Sequence, residues 1–242
     1  MTETVIQQWN RAAQAYMTDQ EKSDFVQSNK KIVQERFQDL SGKTVLDLGC
    51  GYGWYTEYFR QIGAKAVGCD GAEKMIELSK KQYPECQFDV VDAEKVFPYE
   101  NDTFDLVFCN QVLMDLENID NLLDEVQRVL KTDGTFYMAI VHPAFYHCEW
   151  GKDETGFKKA KIMEKYLTHY SFDNDFWGST RHYHRTVSWY LNTIVKRGFQ
   201  FVWMGEPEAY DGITKTKEFP LFMFGEFVKQ EIRSDANVDL RA

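Results

Sequence analysis

Three alternate glycines mark the point in the chain where chemistry is most strongly indicated. Gly49, Gly51 and Gly53 follow directly on the apolar run of residues 45–48. Glycine adopts positive φ at no steric cost and lets a ligand lie against the backbone, although ordering it costs more entropy than ordering any other residue. This spacing therefore predicts either a tight strand-to-helix turn without a ligand or a strand-to-helix turn that holds a ligand.

The turn belongs to a series in which short apolar runs alternate with amphipathic helical patterns. We predict strands at five runs rich in Val, Ile, Phe and Leu: residues 44–48, 66–69, 88–91, 104–109 and 135–141. Such alternation implies crossover connections and a mostly parallel sheet covered by helices on both faces. Open sheets of this kind bind ligands at the carboxyl ends of their strands, which is where the three glycines lie.

The remaining segments complete the predicted fold. Residues 1–40 predict N-terminal helices, and residues 143–183 form an aperiodic, aromatic-rich stretch that we interpret as a lid-like insertion. Residues 184–230 predict a helix and a pair of strands, which would give the sheet an antiparallel edge strand at the C-terminus. We therefore expect residues 1–242 to form a single α/β domain with a seven-stranded sheet. Within the insertion, four lysines are interpreted as the solvated face of a helix: Lys158, Lys159, Lys161 and Lys165.

One ligand class that uses a glycine turn is a dinucleotide. Its site reads Gly-x-Gly-x-x-Gly and sets the pyrophosphate at a helix N-terminus. Here the third glycine, Gly53, comes one residue too early, and Asp47 places a carboxylate just before the loop. The spacing therefore disfavours a dinucleotide.

The stretch DLGCGYG at residues 47–53 closely resembles the first motif of the class I S-adenosylmethionine-dependent methyltransferases. Four further stretches resemble motifs of that family in the family's order: residues 67–75, 91–94, 104–113 and 130–135. The resemblance implies a Rossmann-like fold in which residues 41–141 form the cofactor-binding half. It also implies S-adenosylmethionine as the cofactor, S-adenosylhomocysteine as the product, and no metal.

The resemblance further implies roles for individual side chains. The carboxylate of Asp70 would accept hydrogen bonds from both ribose hydroxyls, Met75 would lie against the adenine, and Asp92 would bind the adenine amino group. The backbone of residues 49–51 would pack against the amino-acid end of the cofactor. The complete set of expected cofactor-binding residues is Tyr16, Asp47, Gly49, Cys50, Gly51, Gly53, Asp70, Gly71, Met75, Asp92, Ala93, Asn110 and Gln111.

Six of these residues have a structural alternative that the sequence leaves open. Asp70 and Asp92 are alternatively plain strand-end residues, and Met75 is alternatively a core residue. Asp47 either supports the cofactor's amino group or only accepts hydrogen bonds from amides of the turn. Asn110 either neighbours the methionine moiety or caps a helix. Tyr16 resembles a tyrosine that closes over the cofactor in the family's small-molecule branch, or else it belongs to the core.

The acceptor is indicated by residues that follow the cofactor-binding half. The stretch YHRTVS at residues 183–188 resembles small-molecule enzymes of the ubiquinone/menaquinone-biosynthesis branch. This resemblance implies a small, apolar or aromatic acceptor and in-line displacement at the methyl group, which needs a base only if the acceptor must lose a proton. His142 and His184 are candidate bases because histidine titrates nearest neutral pH, and Arg185 is a candidate for orienting the acceptor. Each histidine is alternatively a structural or surface residue.

Composition narrows the partners that we expect. A net charge of -10 disfavours nucleic acid and anionic membranes, both of which attract basic proteins. Residues 110–113, NQVL, lack the Asn/Asp-Pro-Pro-Tyr/Phe box that marks many methyltransferases acting on DNA or on glutamine. Five cysteines without a Cys-x-x-Cys pair indicate neither a disulfide framework nor a zinc site. We expect a cytoplasmic protein without membrane insertion, either a monomer or a weak homodimer.

Two rival functions remain open at this stage. An NAD(P)-dependent oxidoreductase would share the fold and the carboxylate of Asp70, although the glycine spacing disfavours it. A non-catalytic protein that binds S-adenosylmethionine would share the whole cofactor site, and nothing in the sequence separates it from an enzyme.

Overall fold

The computed structural model describes residues 3–208 and 218–230, so residues 1–2, 209–217 and 231–242 of the expected domain lie outside the described part. The helices are α1 (Val5–Gln20), α2 (Asp24–Arg36), α3 (Trp54–Gln61), α4 (Glu73–Gln82), α5 (Asp120–Val129) and α6 (Val187–Val195). The strands are β1 (Thr44–Leu48), β2 (Lys65–Asp70), β3 (Gln87–Val90), β4 (Phe104–Asn110), β5 (Leu130–Val141), β6 (Glu149–Lys152), β7 (Lys158–Ile162), β8 (Tyr170–Asn174), β9 (Thr180–His184), β10 (Phe199–Gly205) and β11 (Phe222–Lys229). None of the described helices is both long and apolar enough to cross a bilayer.

Within the described chain, seven strands form one mixed sheet in the order β10–β11–β5–β4–β1–β2–β3. The strands from β1 to β5 pair in parallel, whereas β11 runs antiparallel to both β5 and β10. The predicted seven-stranded, mostly parallel α/β sheet is confirmed. The antiparallel strand lies one position inside the edge, because β11 turns back from β10 and inserts beside β5.

Alternation along the central strands divides the core between the two faces of the sheet. On β5, Phe136 and Met138 pack into one hydrophobic cluster, whereas Tyr137 and Ala139 pack into another. The apolar faces of α5 and α6 complete the first cluster, and Phe59 of α3 joins the second. Helices therefore cover both faces, as near-continuous apolar strands require.

The strand order reverses next to β1, and this reversal positions the glycine turn. The chain leaves β1 for β2 and β3 on one side, and then returns to β4 on the other side. The connections that follow β1 and β4 therefore diverge and leave a crevice at the carboxyl ends of these two strands. Gly49 follows β1 directly and Gln111 follows β4 directly, so both residues stand at this crevice.

Residues 143–183 form two antiparallel ribbons instead of an aperiodic segment. β6 pairs with β7, and β8 pairs with β9. Lys158, Lys159 and Lys161 lie on or beside the strand β7, so the predicted helical face is wrong. The side chains of β6 and β7 are exposed or half-buried throughout, and a ribbon without a buried face shows no apolar alternation for a sequence to reveal.

The β8–β9 ribbon is fastened to α1 by hydrogen bonds. Gln8 Oε1 accepts the backbone N–H of Arg181 at 2.9 Å, and the indole N–H of Trp177 donates to Asp19 at 3.0 Å. The ring of Trp177 also contacts that of Tyr16, with 4.9 Å between centroids. The N-terminal helix and this ribbon therefore form one cover beside the crevice.

A buried carboxyl joins β1 to α3. Asp47 is 2% exposed, and its Oδ2 accepts a hydrogen bond from the Thr56 hydroxyl at 2.6 Å. Burial raises the pKa of Asp47 to about 7, although the hydrogen bond from Thr56 opposes the shift. The folded protein therefore holds this proton more tightly than the unfolded chain does. Ionisation of Asp47 costs stability as the pH rises from about 4 to about 7.

The raised pKa of Asp47 predicts how the stability of an Asp47→Asn variant depends on pH. The free energy of unfolding of the variant minus that of the wild type should be about 2–3 kcal/mol larger at pH 8 than at pH 5, because the variant lacks the carboxyl whose ionisation opposes folding. Urea denaturation of both proteins at the two pH values measures this double difference.

Asp105→Asn is the matched control. Burial raises the pKa of Asp105, but hydrogen bonds from Thr44 and Lys131 outweigh it and lower the pKa to about 2. The contribution of Asp105 should therefore be the same at pH 5 and pH 8. A double difference near zero for Asp47→Asn would contradict the buried-carboxyl account.

Candidate active site

The turn after β1 holds its backbone in the left-handed region. Gly49 has φ of +74° and Gly51 has φ of +55°. A Cβ atom on Gly49 would lie 2.2 Å from a methyl carbon of Val112. A larger residue at position 49 would therefore be strained and would also clash, so the sequence uses glycine where the chain must pass close to its neighbours.

Asp70, at the end of β2, accepts hydrogen bonds from two different loops. Its Oδ2 accepts the N–H of Gly51 at 3.0 Å, and its Oδ1 accepts the N–H of Ala72 at 2.8 Å. Burial raises the pKa of Asp70, and the hydrogen bonds from Ala72 and Gly51 oppose that shift. Each carboxylate oxygen has a second lone pair, so Asp70 can accept two further hydrogen bonds from a ligand.

The end of β4 presents polar atoms that have no partner. Gln111 has φ of +60°, which is uncommon for a residue with a side chain. Asn110 Oδ1 and Gln111 Nε2 are buried and have no hydrogen-bond partner among the described residues. Because buried polar atoms are normally bonded, both atoms indicate a ligand. The next helix begins at Asp120, so Asn110 does not cap a helix.

These elements border one cavity, which we call the first cavity. It encloses about 720 Å³ of empty space, part of which is open to solvent. Met75 reaches its wall while packing against Ala13 and Ala72, so it serves both the core and the cavity. Ten of the predicted cofactor residues line the first cavity: Tyr16, Gly49, Gly51, Asp70, Gly71, Met75, Asp92, Ala93, Asn110 and Gln111.

Three predicted cofactor residues do not line the first cavity. The carboxyl of Asp47 lies behind the turn, where it accepts its hydrogen bond from Thr56 and not from turn amides. Gly53 precedes the first residue of α3 and packs beside Phe88. Cys50 is buried and lines a neighbouring cavity instead. None of these three residues is therefore placed to contact a ligand in the first cavity.

A second cavity, with about 770 Å³ of empty space, adjoins the first. The two cavities share six residues: Trp9, Tyr16, Gly49, Gly51, Asn110 and Gln111. Much of the remaining wall is aromatic, and its rings are those of Phe25, Tyr52, Trp54, Tyr55, Tyr146 and Trp177. The two cavities are therefore neighbours along these shared residues.

The three residues predicted to act on an acceptor line neither of these cavities. They border a third, smaller cavity of about 290 Å³ of empty space. His142 is 2% exposed, with Nε2 at 2.6 Å from Glu206, and its Nδ1 accepts the N–H of Ala144 at 3.1 Å. Burial lowers the pKa of His142, and Glu206 opposes the shift. The Nε2 atom of His184 lies 2.8 Å from the carbonyl oxygen of Tyr166. Both histidines thus have structural partners.

Arg185 is a buried cation that holds the loop after β4. Its guanidinium donates to the carbonyl oxygens of Leu113, Leu116 and Glu117 at 3.4, 2.7 and 2.6 Å. It also lies over the ring of Trp189, 4.7 Å from the centroid. These contacts occupy the guanidinium with the protein's own backbone, away from the first two cavities.

A histidine that the sequence analysis did not select lines the second cavity. His182 is 3% exposed, and its Nε2 lies 3.2 Å from Asp115 Oδ1. Trp9 donates its indole N–H to the other carboxyl oxygen of Asp115 at 2.9 Å. Burial lowers the pKa of His182 to about 4 and raises that of Asp115. His182 Nδ1 and Asp115 Oδ1 have no hydrogen-bond partner in the described part of the chain.

The sequence carried only a weak signal for His182. On a strand, His182 and His184 lie on the same face because they are two residues apart. Nothing in the spacing of Trp9, Asp115 and His182 indicates that the three side chains meet. In the ranges that the structure describes, no group of three or more His, Cys, Asp or Glu side chains is arranged to hold a metal ion.

Comparison with known proteins identifies the family. A family model described as a methyltransferase domain matches residues 46–138. A solved Listeria monocytogenes protein, assigned as an S-adenosylmethionine-dependent methyltransferase, is 30% identical, with a TM-score of 0.71 over 82% of this chain and 98% of its own. An uncharacterised protein of Haemophilus influenzae is 30% identical over 187 residues, 72% of this chain and 73% of that protein. The demethylmenaquinone methyltransferase of Streptomyces avermitilis is 32% identical over 111 residues, 46% of each chain.

The residues of the first cavity fit this family's cofactor. S-adenosylmethionine carries ribose hydroxyls, for which Asp70 has lone pairs left, and a polar amino-acid end, for which Asn110 Oδ1 and Gln111 Nε2 are unpaired. One relative is matched along 98% of its length, and the strand order sets the glycine turn beside Asp70. The chain therefore belongs to the class I S-adenosylmethionine-dependent methyltransferases, and it is an enzyme whose cofactor is S-adenosylmethionine.

Proposed function

We propose that the enzyme holds S-adenosylmethionine in the first cavity and transfers its methyl group to a small, apolar or aromatic acceptor in the second. The observation that carries this proposal is the boundary that the two cavities share, which includes Trp9, Tyr16 and Gln111. Two ligands that meet there are in contact without any backbone movement. Such alignment can supply about 7–11 kcal/mol of the barrier to a direct transfer.

The same proposal assigns parts of the chain to the two ligands. Residues 41–141 supply most of the first cavity, and α1, α2 and the segment 143–183 supply much of the second. We therefore propose that residues 1–242 act as one methyltransferase domain, in which the N-terminal helices and the inserted ribbons cover the acceptor.

The wall of the second cavity supports an apolar or aromatic acceptor. Aromatic side chains bury large areas and pack against planar ligands in offset or edge-to-face arrangements. Phe25, Tyr146 and Trp177 supply such surfaces from three separate elements of the chain. One relative is by name a demethylmenaquinone methyltransferase, which agrees with a small-molecule acceptor. Because the match covers 46% of that enzyme, the agreement concerns the class of acceptor and not its identity.

We propose in-line displacement as the mechanism. Bound S-adenosylmethionine supplies a methyl group on a positively charged sulfur. The chain's part is to fix the donor end at Gly49, Asn110 and Gln111 and to hold the acceptor against that boundary. Enclosure by the aromatic wall removes water from the acceptor's nucleophilic atom, which raises its reactivity.

For an acceptor that must lose a proton, His182 replaces His142 and His184 as the proposed base. With a pKa of about 4, its imidazole is neutral at pH 7 and can accept a proton. A tautomer protonated on Nε2, the nitrogen that faces Asp115, leaves Nδ1 with a free lone pair. The imidazolium that forms would lie 3.2 Å from Asp115 and would favour the ionised form of that carboxyl against the rise in pKa that burial causes, and the carboxylate would stabilise the imidazolium in return.

A labelled-donor screen tests the proposed function. The purified enzyme is incubated with a metabolite extract and S-adenosylmethionine labelled in its methyl group. We expect the label in one small, largely apolar or aromatic compound, because the aromatic cavity selects for such an acceptor. Label found only in protein or in RNA would contradict the small-molecule proposal, and no transfer to any fraction would favour a binding protein.

With the acceptor in hand, His182→Gln tests the base. If the acceptor loses a proton, the variant should lower kcat by about 10²–10⁴-fold while leaving the affinity for S-adenosylhomocysteine unchanged. The wild-type kcat should be nearly constant between pH 6 and pH 8, because a base with a pKa of about 4 is already deprotonated there. His169→Gln is the control, because His169 is exposed. A wild-type rate that rises through pH 6.5, or a fully active His182→Gln enzyme, would remove His182 from the mechanism.

A further inference from the structure

Helix α2 places two buried polar side chains at the second cavity. Asn29 is 3% exposed and Lys30 is 7% exposed, and both line that cavity. Neither residue belongs to a motif that the sequence resemblance covers, and the proposed transfer step uses neither. Their burial therefore requires an explanation of its own.

Asn29 has a donor without an acceptor. Its Oδ1 accepts a hydrogen bond from the hydroxyl of Tyr55, which fixes the orientation of the amide. Its Nδ2 is buried and has no hydrogen-bond partner among the described residues. A buried amide N–H without a partner has lost its hydration and gained no hydrogen bond in return, so a group that accepts from Nδ2 would recover free energy.

Lys30 has a charge without a counter-charge. Its Nζ lies 4.4 Å from the ring centroid of Trp54 and 5.9 Å from that of Tyr52, and no salt bridge accompanies these contacts in the described part of the chain. Burial lowers the pKa of Lys30, and Glu21 opposes the shift. Ring faces stabilise an ammonium group less than a carboxylate does at close range, so this cation favours an anionic ligand.

The backbone at the start of helix α3 also carries partial positive charge. Helix α3 begins at Trp54, and Trp54 and Tyr55 line the second cavity. The first N–H groups of a helix have no intrahelical acceptor and carry the positive end of the helix dipole. A side-chain cation, an unpaired amide N–H and the first residues of a helix therefore line the same cavity.

We propose that Lys30 Nζ and Asn29 Nδ2 form a subsite for a carboxylate group. Two ligands could carry this group: S-adenosylmethionine, through the carboxylate of its amino-acid end, and an acceptor that bears a carboxylate. The first source is favoured, because Gly49, Asn110 and Gln111, to which the proposed function assigns the donor end, line both cavities. The subsite rests on the proposed use of the two cavities.

Calorimetry with two nucleosides tests the cofactor source. S-adenosylhomocysteine carries the amino-acid end, and 5′-methylthioadenosine is the same thioether nucleoside without it. Lys30→Met should weaken S-adenosylhomocysteine at least about 10-fold and leave 5′-methylthioadenosine unchanged, because only the first ligand loses a charge-assisted hydrogen bond. Lys31→Met is the matched control, since the neighbouring Lys31 side chain is 77% exposed and should affect neither ligand.

A second titration tests the acceptor source. Benzoate and benzamide are compared on the protein saturated with S-adenosylhomocysteine. If the acceptor supplies the carboxylate, the wild type should prefer benzoate, and Lys30→Met should abolish that preference while leaving both nucleosides unchanged.

Two outcomes would overturn the subsite. One is a Lys30→Met variant that alters neither comparison, and the other is a variant that weakens both nucleosides equally, which would indicate a general distortion of the cavity. A wild type that binds neither nucleoside would contradict the proposed cofactor site itself, so the failure of the subsite and the failure of the proposed function are distinguishable.

Discussion

The carboxylate of Asp70 is the interaction on which the rest of the site depends. It accepts one N–H from the turn after β1 and another from the loop after β2, so a single side chain fixes two adjacent connections of the sheet. A buried carboxylate is costly unless hydrogen bonds compensate it. Two backbone bonds compensate it in part and leave lone pairs for ligand hydroxyls. The cavity is therefore already shaped and becomes fully hydrogen-bonded only when a ligand binds.

Helix α1 contributes to both the first and the second cavity. Trp9 and Tyr16 stand in the walls of both cavities, and Trp9 also holds Asp115 beside His182. Through Trp177 the same helix is fastened to the β8–β9 ribbon. The N-terminal helix is thus part of the candidate site, and a change in its packing would alter both the first and the second cavity.

The sequence predicts well those features that depend on neighbouring residues. Gly49 and Gly51 could be found because their positive φ demands glycine, and Asp70 because it ends an apolar run that matches the family's order. His182 could not be found, because its role depends on contacts with Asp115 and Trp9, which are far apart along the chain. The β6–β7 ribbon escaped prediction because strands without a buried face lack the alternation on which prediction rests. Strand β9 of the other ribbon does have a buried face, but that face consists of the polar residues Thr180, His182 and His184 and shows no apolar alternation. Arg185 was misplaced because a guanidinium that binds backbone carbonyls looks the same in sequence as one that binds a ligand.

The central claim is that Asp70 organises the cofactor site, and Asp70→Asn tests it most directly. The variant keeps the size of the side chain but replaces one acceptor oxygen by an NH₂ group, which opposes a backbone N–H and cannot accept from a ribose hydroxyl. Calorimetric titration with S-adenosylhomocysteine should show an affinity lowered roughly 10- to 100-fold, equivalent to about 1.5–3 kcal/mol. Asp133→Asn is the control, because Asp133 is exposed and asparagine tolerates its positive φ. An unchanged affinity in Asp70→Asn would contradict the account.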